Sequence, residues 1–162
     1  MPGAGNNAIV SAPRILHPAP FRTEQTMFSS LDVSTSGLVA QRARLNAIST
    51  NIANMSTTRN ELGEPEPFKP RYVTFQTDNE MKTPGGGAGV KIGSVEYSDA
   101  PPNEKYEPGH PDADERGIVR YPAVNMTMEF VDALEATRAY EANIGVIEVT
   151  KNMTEQTLRI IA

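Results

Sequence analysis

Hydrophobic residues recur at helical spacing near both ends of this chain, and much less regularly between. Leu31, Leu38, Leu45 and Ile52 stand seven apart, with Ile48 and Met55 in the second position of the same repeat. The pattern predicts a helix from about Ser29 to Asn54, roughly 40 Å long. Ser29 or Ser30 can cap its start, and Asp32 suits its positive end. Gln41, Arg42, Arg44, Asn46 and Ser49 occupy the other faces. Near the C-terminus, Phe130, Thr137, Ile144, Lys151 and Leu158 mark one heptad position. Ala133, Tyr140, Ile147, Thr154 and Ile161 mark the other. They predict a second helix from Asn125, a good N-cap, to Ile161, roughly 55 Å long. Both stripes are narrow, as in a coiled coil, although Thr137, Lys151 and Thr154 dilute the second.

Proline sets the boundaries. All 13 prolines lie within 2–20 or 65–122, and none lies in 21–64 or 123–162. Because proline breaks helix interiors, the long helices belong to the two proline-free ends. The middle holds shorter signals of another period. Arg71-Tyr72-Val73-Thr74-Phe75 is β-branched and aromatic, and Val90, Ile92, Val95 and Tyr97 alternate around Gly93, a bulge candidate. Glu104–Glu107 and Ile118–Tyr121 are weaker strand segments, and Pro84-Gly85-Gly86-Gly87 reads as a loop. The expected class is α+β, with long N- and C-terminal helices forming a coiled-coil-like pair around a small β-rich insert. The expected division is a disordered extension over 1–26, an N-terminal helix over 27–58, a β-rich unit over 59–123 and a C-terminal helix over 124–162. Within 1–26 only Ala8-Ile9-Val10 is continuously apolar, too short for the roughly 7–15 apolar residues of a secretory signal.

Charge suggests how the helices pair. The first carries Arg42 and Arg44 against Asp32, while the second carries Glu129, Asp132, Glu135, Glu141, Glu148 and Glu155 against three bases. Opposite signs favour pairing of the two, with each other or with neighbours. One arrangement is an antiparallel pair sealed within a monomer. The other packs the seams between molecules, and is preferred because the small insert offers little surface to cover such long helices. In that case the helices fray in an isolated subunit and order on assembly.

Composition removes most other functions. Of 162 residues, 38% are hydrophobic and 22% charged, with a net charge of −5. Mild acidity argues against nucleic acid, and no apolar run is long enough to span a membrane. Cysteine is absent, and the two histidines, His17 and His110, leave little for acid–base chemistry. Gly85-Gly86-Gly87-Ala88-Gly89 lacks the Lys-Ser/Thr tail of a phosphate loop. Asp112, Asp114 and Gly117 match three positions of a calcium loop, but Arg116 and Ala123 stand where acidic ligands belong. An acidic turn accepting backbone N–H bonds fits 110–117 better. No cofactor, metal or catalytic set is expected. A metal-dependent hydrolase would need Asp112 and Asp114 in a cleft, and a soluble helical adaptor would need a fixed helix pair in a stable monomer.

Two segments gain meaning together. Ser36-Gly37-Leu38-Val39-Ala40-Gln41-Arg42, leading to Asn51-Ile52-Ala53-Asn54, resembles the N-terminal signature of bacterial flagellar rod and hook proteins. Thr137-Arg138-Ala139-Tyr140-Glu141-Ala142-Asn143 resembles their C-terminal signature. Tyr106 to Glu115, then Gly117 and Tyr121-Pro122-Ala123-Val124-Asn125, is similar to the proximal-rod members of that family. The resemblance runs from Met27 to Ala162. It implies a structural, non-enzymatic subunit exported through the flagellar type III apparatus without a cleaved signal. Such a subunit assembles in the periplasm with copies of itself, other rod proteins, and ring and adaptor proteins into the torque-transmitting shaft of the basal body. On this reading the subunit interface draws on Leu31, Leu38, Gln41, Arg42, Leu45, Ile48, Asn51, Ile52 and Asn54. The second helix adds Arg138, Tyr140, Glu141, Asn143, Ile144, Ile147 and Leu158.

Overall fold

The computed structural model describes residues 23–83 and 86–161. Its elements run α1 (Thr23–Ala53), β1 (Arg71–Lys82), β2 (Ala88–Tyr97), β3 (Asn103–Tyr106), β4 (Ile118–Tyr121) and α2 (Met126–Ile161). The architecture is α+β, with a long helix at each end of the described chain and small antiparallel sheets between. Of the extension expected over 1–26, residues 1–22 lie outside the described residues, while Thr23 to Thr26 are helical. No proline stands between Pro20 and Pro65, so nothing stops α1 from running back that far.

α1 stops at Ala53 rather than continuing to 58. A left-handed asparagine does not end it, because among the described residues only glycines have positive φ. Instead the Asn54 side-chain amide donates to the Thr50 carbonyl at 2.9 Å, and the Thr57 N–H closes a turn on the Asn54 carbonyl. The start of α2 follows expectation. Asn125 Oδ1 accepts the N–H groups of Thr127 and Met128, at 3.0 and 3.3 Å.

β1 and β2 form an antiparallel hairpin, and β3 and β4 a second, shorter one. In the first, Val73 faces Val95 and Phe75 faces Ile92, so Thr74 alone opposes Gly93 and Ser94. That is the bulge signalled by Gly93. The Thr74 hydroxyl fills the gap, accepting the Ser94 N–H at 3.0 Å. In the second, Val119 is fully buried and the Tyr121 hydroxyl donates to Glu107 at 2.7 Å.

The long hairpin and α2 both pack against α1, and the first turns of α2, at Glu129 and Asp132, share a cleft with the start of β1 at Arg71 and Tyr72. The Ser36 hydroxyl ties the hairpin down by accepting the Val90 N–H at 3.0 Å. The helix pair is antiparallel and lies within one chain: Asn51 meets Glu129, Arg44 meets Asp132, and Gly37 meets Asn143. The expected pair of terminal helices is present, and the preference for seams packed between molecules is corrected for the faces that α1 and α2 turn to each other. The insert covers part of α1, and α2 finds its first partner inside its own molecule.

Candidate functional site

Small residues let the two helices approach. Ala136 is fully buried, and Ala40, Ala47 and Ile48 join it in a thin core. A Cβ on Gly37 would stand 3.0–3.2 Å from the side-chain amide of Asn143, so glycine leaves room for that amide. On α2 the less exposed positions are Glu129, Ala136, Asn143 and Thr150, seven apart, with Ala133, Tyr140, Ile147 and Thr154 beside them. The second row is the one read from the sequence. The first is displaced by one residue: the Phe130, Thr137, Ile144, Lys151, Leu158 row points outward. The physical reason is size, since alanine and asparagine fit beneath a close-packed neighbour better than phenylalanine and isoleucine do.

A polar junction closes one end of the pair. Asn51 is fully buried at the last turn of α1. Its Oδ1 accepts the Arg71 N–H and its Nδ2 donates to the Arg71 carbonyl, both at 2.9 Å. The amide thereby pairs with the first residue of β1 as a strand would. Nδ2 also donates to Glu129 Oε1 at 3.1 Å, adding α2 to the same knot. Three elements meet on one side chain. Glu129 is only 5% exposed. Burial, then the nearby negative Asp132, push its carboxyl above its ordinary value, while the Asn51 amide pulls it partly back. Outside the knot, Arg44 bridges Asp132 and Glu135 at 3.2 and 3.3 Å, realising the charge complementarity of the two helices.

The other interface candidates are spread around the pair. Ile48 is buried; Leu31, Leu38, Gln41, Leu45, Ile52 and Asn54 are half-buried; Arg42 is exposed. Gln41 Oε1 is buried and accepts no hydrogen bond among the described residues. On α2, Tyr140, Asn143 and Ile147 are half-buried, whereas Arg138, Glu141, Ile144 and Leu158 are exposed. Sequence reasoning missed a further feature. Val131, Val146, Val149, Met153 and Ile160 are all exposed and form a second apolar stripe on α2. Their spacing, with steps of three, four and seven from Val146 to Ile160, is visible in the chain but lies off the heptad positions counted above.

The acidic turn has two parts. Asp114 Oδ1 accepts the N–H groups of Arg116 and Ile118, both at 2.8 Å, as an Asx-type turn does. Asp112 instead reaches across to the segment after α1. It pairs with Arg59 and accepts the Thr58 hydroxyl at 2.6 Å, and these bonds hold its carboxyl below its ordinary range. Both carboxylates of the calcium-like motif are therefore engaged by the protein itself.

The segments that build this pair coincide with known family models. Residues 31–59 match the model described as flagella basal body rod protein, and residues 115–160 the C-terminal model of the flagellar basal body rod FlgEFG proteins. A flagellar basal-body rod protein FlgC from Borreliella burgdorferi is 40% identical, over 83% of this chain and 97% of its own length. This chain belongs to the flagellar basal-body rod protein family. Two further FlgC proteins of that family are similar over most of the chain: that of Bacillus subtilis is 39% identical over 83% of this chain and 98% of its own, and that of Salmonella typhimurium 38% over 83% and 97%. The matched N-terminal stretch takes in Gly37, Asn51 and the Thr58–Arg59 clasp; the C-terminal one takes in Glu129, Ala136 and Asn143. In this chain the two matched segments are thus the two sides of one intramolecular contact.

Proposed function

We propose that this protein is a structural subunit of the proximal rod of the bacterial flagellar basal body, where it assembles with copies of itself and with other rod proteins into the shaft that transmits torque. One observation carries this reading: α2, with its inner face already on α1, still presents the apolar stripe of Val131, Val146, Val149, Met153 and Ile160 to solvent. Large exposed apolar surfaces mark protein contacts. The half-buried Leu31, Leu38, Leu45 and Ile52 on α1, and the exposed Ile144 and Leu158 on another face of α2, add further apolar surface. Many repeated contacts of this kind would give a stiff, non-catalytic shaft. Residence in the periplasmic rod, export through the type III apparatus without a cleaved signal, and contacts to ring and adaptor proteins complete the proposal. Among the described residues no helix is long and apolar enough to cross a membrane, and no group of three acidic or histidine side chains could hold a metal.

The test is complementation. The chain is expressed in a flagellated strain of its own species deleted for this gene, and basal bodies are isolated and counted. Restored basal bodies containing the chain support the reading; a soluble chain that never joins them overturns it in favour of an adaptor.

A further inference from the structure

Between α1 and β1 the chain makes a tight loop with Leu62 at its apex, 84% exposed. A lone exposed leucine is ordinary. The framework beneath this one is not. Asn60 Oδ1 accepts the N–H groups of Leu62 and Glu64 at 3.0 and 2.9 Å. Its Nδ2 donates to the carboxylates of Glu64 and Glu66 at 3.2 and 3.3 Å. In the main chain, the Asn60 N–H donates to Glu64 and the Gly63 N–H to Asn60, at 3.0 and 2.9 Å. Gly63 adopts φ 80°, a conformation that glycine permits without strain. Arg59 donates to the Gly63 carbonyl at 3.1 Å and also pairs with Asp112, which accepts the Thr58 hydroxyl as well. The apex is therefore fastened to the turn that precedes β4.

Ordering an exposed loop costs backbone entropy, which its own hydrogen bonds offset only in part. Order in advance does lower the later cost of binding. Resting on the rod reading above, the geometry points to Leu62 as a preformed knob that inserts into an apolar pocket with a basic rim on a different rod protein. The collar supplies the sign: Glu61, Glu64 and Glu66 are exposed around the apex, and the bases beside them are already engaged, Arg59 with Asp112 and Lys69 with Glu66, so the free charge suits lysine or arginine and disfavours an anionic lipid surface. A second copy fits less well. The apolar cleft of this chain, between α1 and the long hairpin at Val39, Met81, Val90 and Ile92, is edged by Asp32 and Asp78 against a single Lys91.

The test uses the full chain in the deletion strain, comparing wild type with Leu62→Ser, Leu62→Met and Glu61→Lys. Basal bodies per cell are counted by electron microscopy, and thermal midpoints and exported amounts are measured for each variant. Leu62→Ser should keep the wild-type midpoint and export while lowering assembled basal bodies by about tenfold, as loss of a central anchor does. Leu62→Met should stay near wild type, and Glu61→Lys should fall between. Normal assembly with Leu62→Ser, or equal damage from serine and methionine, overturns the knob while leaving the rod reading intact. Failure of the wild-type chain itself to restore basal bodies overturns the rod reading and this inference with it.

Discussion

Replacing Asn51 should do more harm than any other single change in the helix pair. The side chain is fully buried and makes three hydrogen bonds, two to the Arg71 backbone and one to Glu129. Asn51→Ala removes all three and leaves a buried N–H, a buried carbonyl and a buried carboxylate without that partner. A stranded polar group costs about 1–3 kcal/mol. Partial rehydration of the gap lowers the sum, giving a loss of roughly 3–5 kcal/mol. Against a typical total of about 5–15 kcal/mol, that is a large share of the stability of a small domain. Asn51→Asp sharpens the reasoning. The new carboxyl can still accept the Arg71 N–H, but it cannot donate to the Arg71 carbonyl, and it sets a second negative charge beside Glu129. Its damage should therefore shrink on acidification, as the two carboxyls come to share a proton. The assay is urea unfolding of the full chain, followed by circular dichroism at neutral and at mildly acidic pH. A loss below about 1 kcal/mol for Asn51→Ala would refute the junction as a structural lock. So would an aspartate variant more stable, relative to wild type, at neutral than at acidic pH.

Two further expectations concern neighbouring groups. Glu129 has its folded-state carboxyl raised above its ordinary 4.5. The folded chain therefore binds the proton more tightly than the unfolded one, so Glu129 subtracts stability as pH climbs from the ordinary carboxylate range through its raised value. Glu129→Gln, which keeps an acceptor for Asn51, should flatten this part of the stability–pH curve, and an unchanged slope in urea titrations would count against a charged, buried Glu129. At Gly37, alanine should be nearly neutral. The gain in helix propensity of about 1 kcal/mol offsets the push on Asn143. Gly37→Leu should lose about 1–3 kcal/mol through overpacking, and a leucine variant as stable as wild type would show that the helices are not held at close range there.

What could be read from the chain follows the strength of the local signals. Asn125 as a cap, the Gly93 bulge and the two proline-free helices each rest on one residue type with a direct steric or hydrogen-bonding consequence, and all are present. β1 extends to Lys82, beyond the Phe75 read from the sequence, because it pairs with β2 as far as Ala88, and Thr77, Asp78, Asn79 and Glu80 carry no alternation that signals it. The site was harder. α1 was read as one seam but serves two layers, so its Leu31–Ile52 repeat describes only part of what it touches. Glu129 looked like a favourable charge in the first turns of α2. Its burial depends on Asn51, 78 residues away, which no local pattern encodes. Asp112 and Asp114 looked alike as one acidic turn, yet only contact with Thr58 and Arg59 separates the cross-link from the turn-former. Small residues on α2 do signal close approach, but the reading of Ala139 and Ala142 in that role falls on the wrong pair: Ala142 is exposed, and Ala136 is the alanine buried against α1.

The central claim is that the outer stripe of α2 exists for other molecules and not for its own fold. Val149→Asp combined with Met153→Asp, both exposed in the single chain, tests it most directly when unfolding and basal-body assembly are measured on the same protein. The account predicts a stability within about 0.5 kcal/mol of wild type for each surface change, together with loss of assembled rods and of swimming. Normal rods built from the doubly charged chain would contradict it.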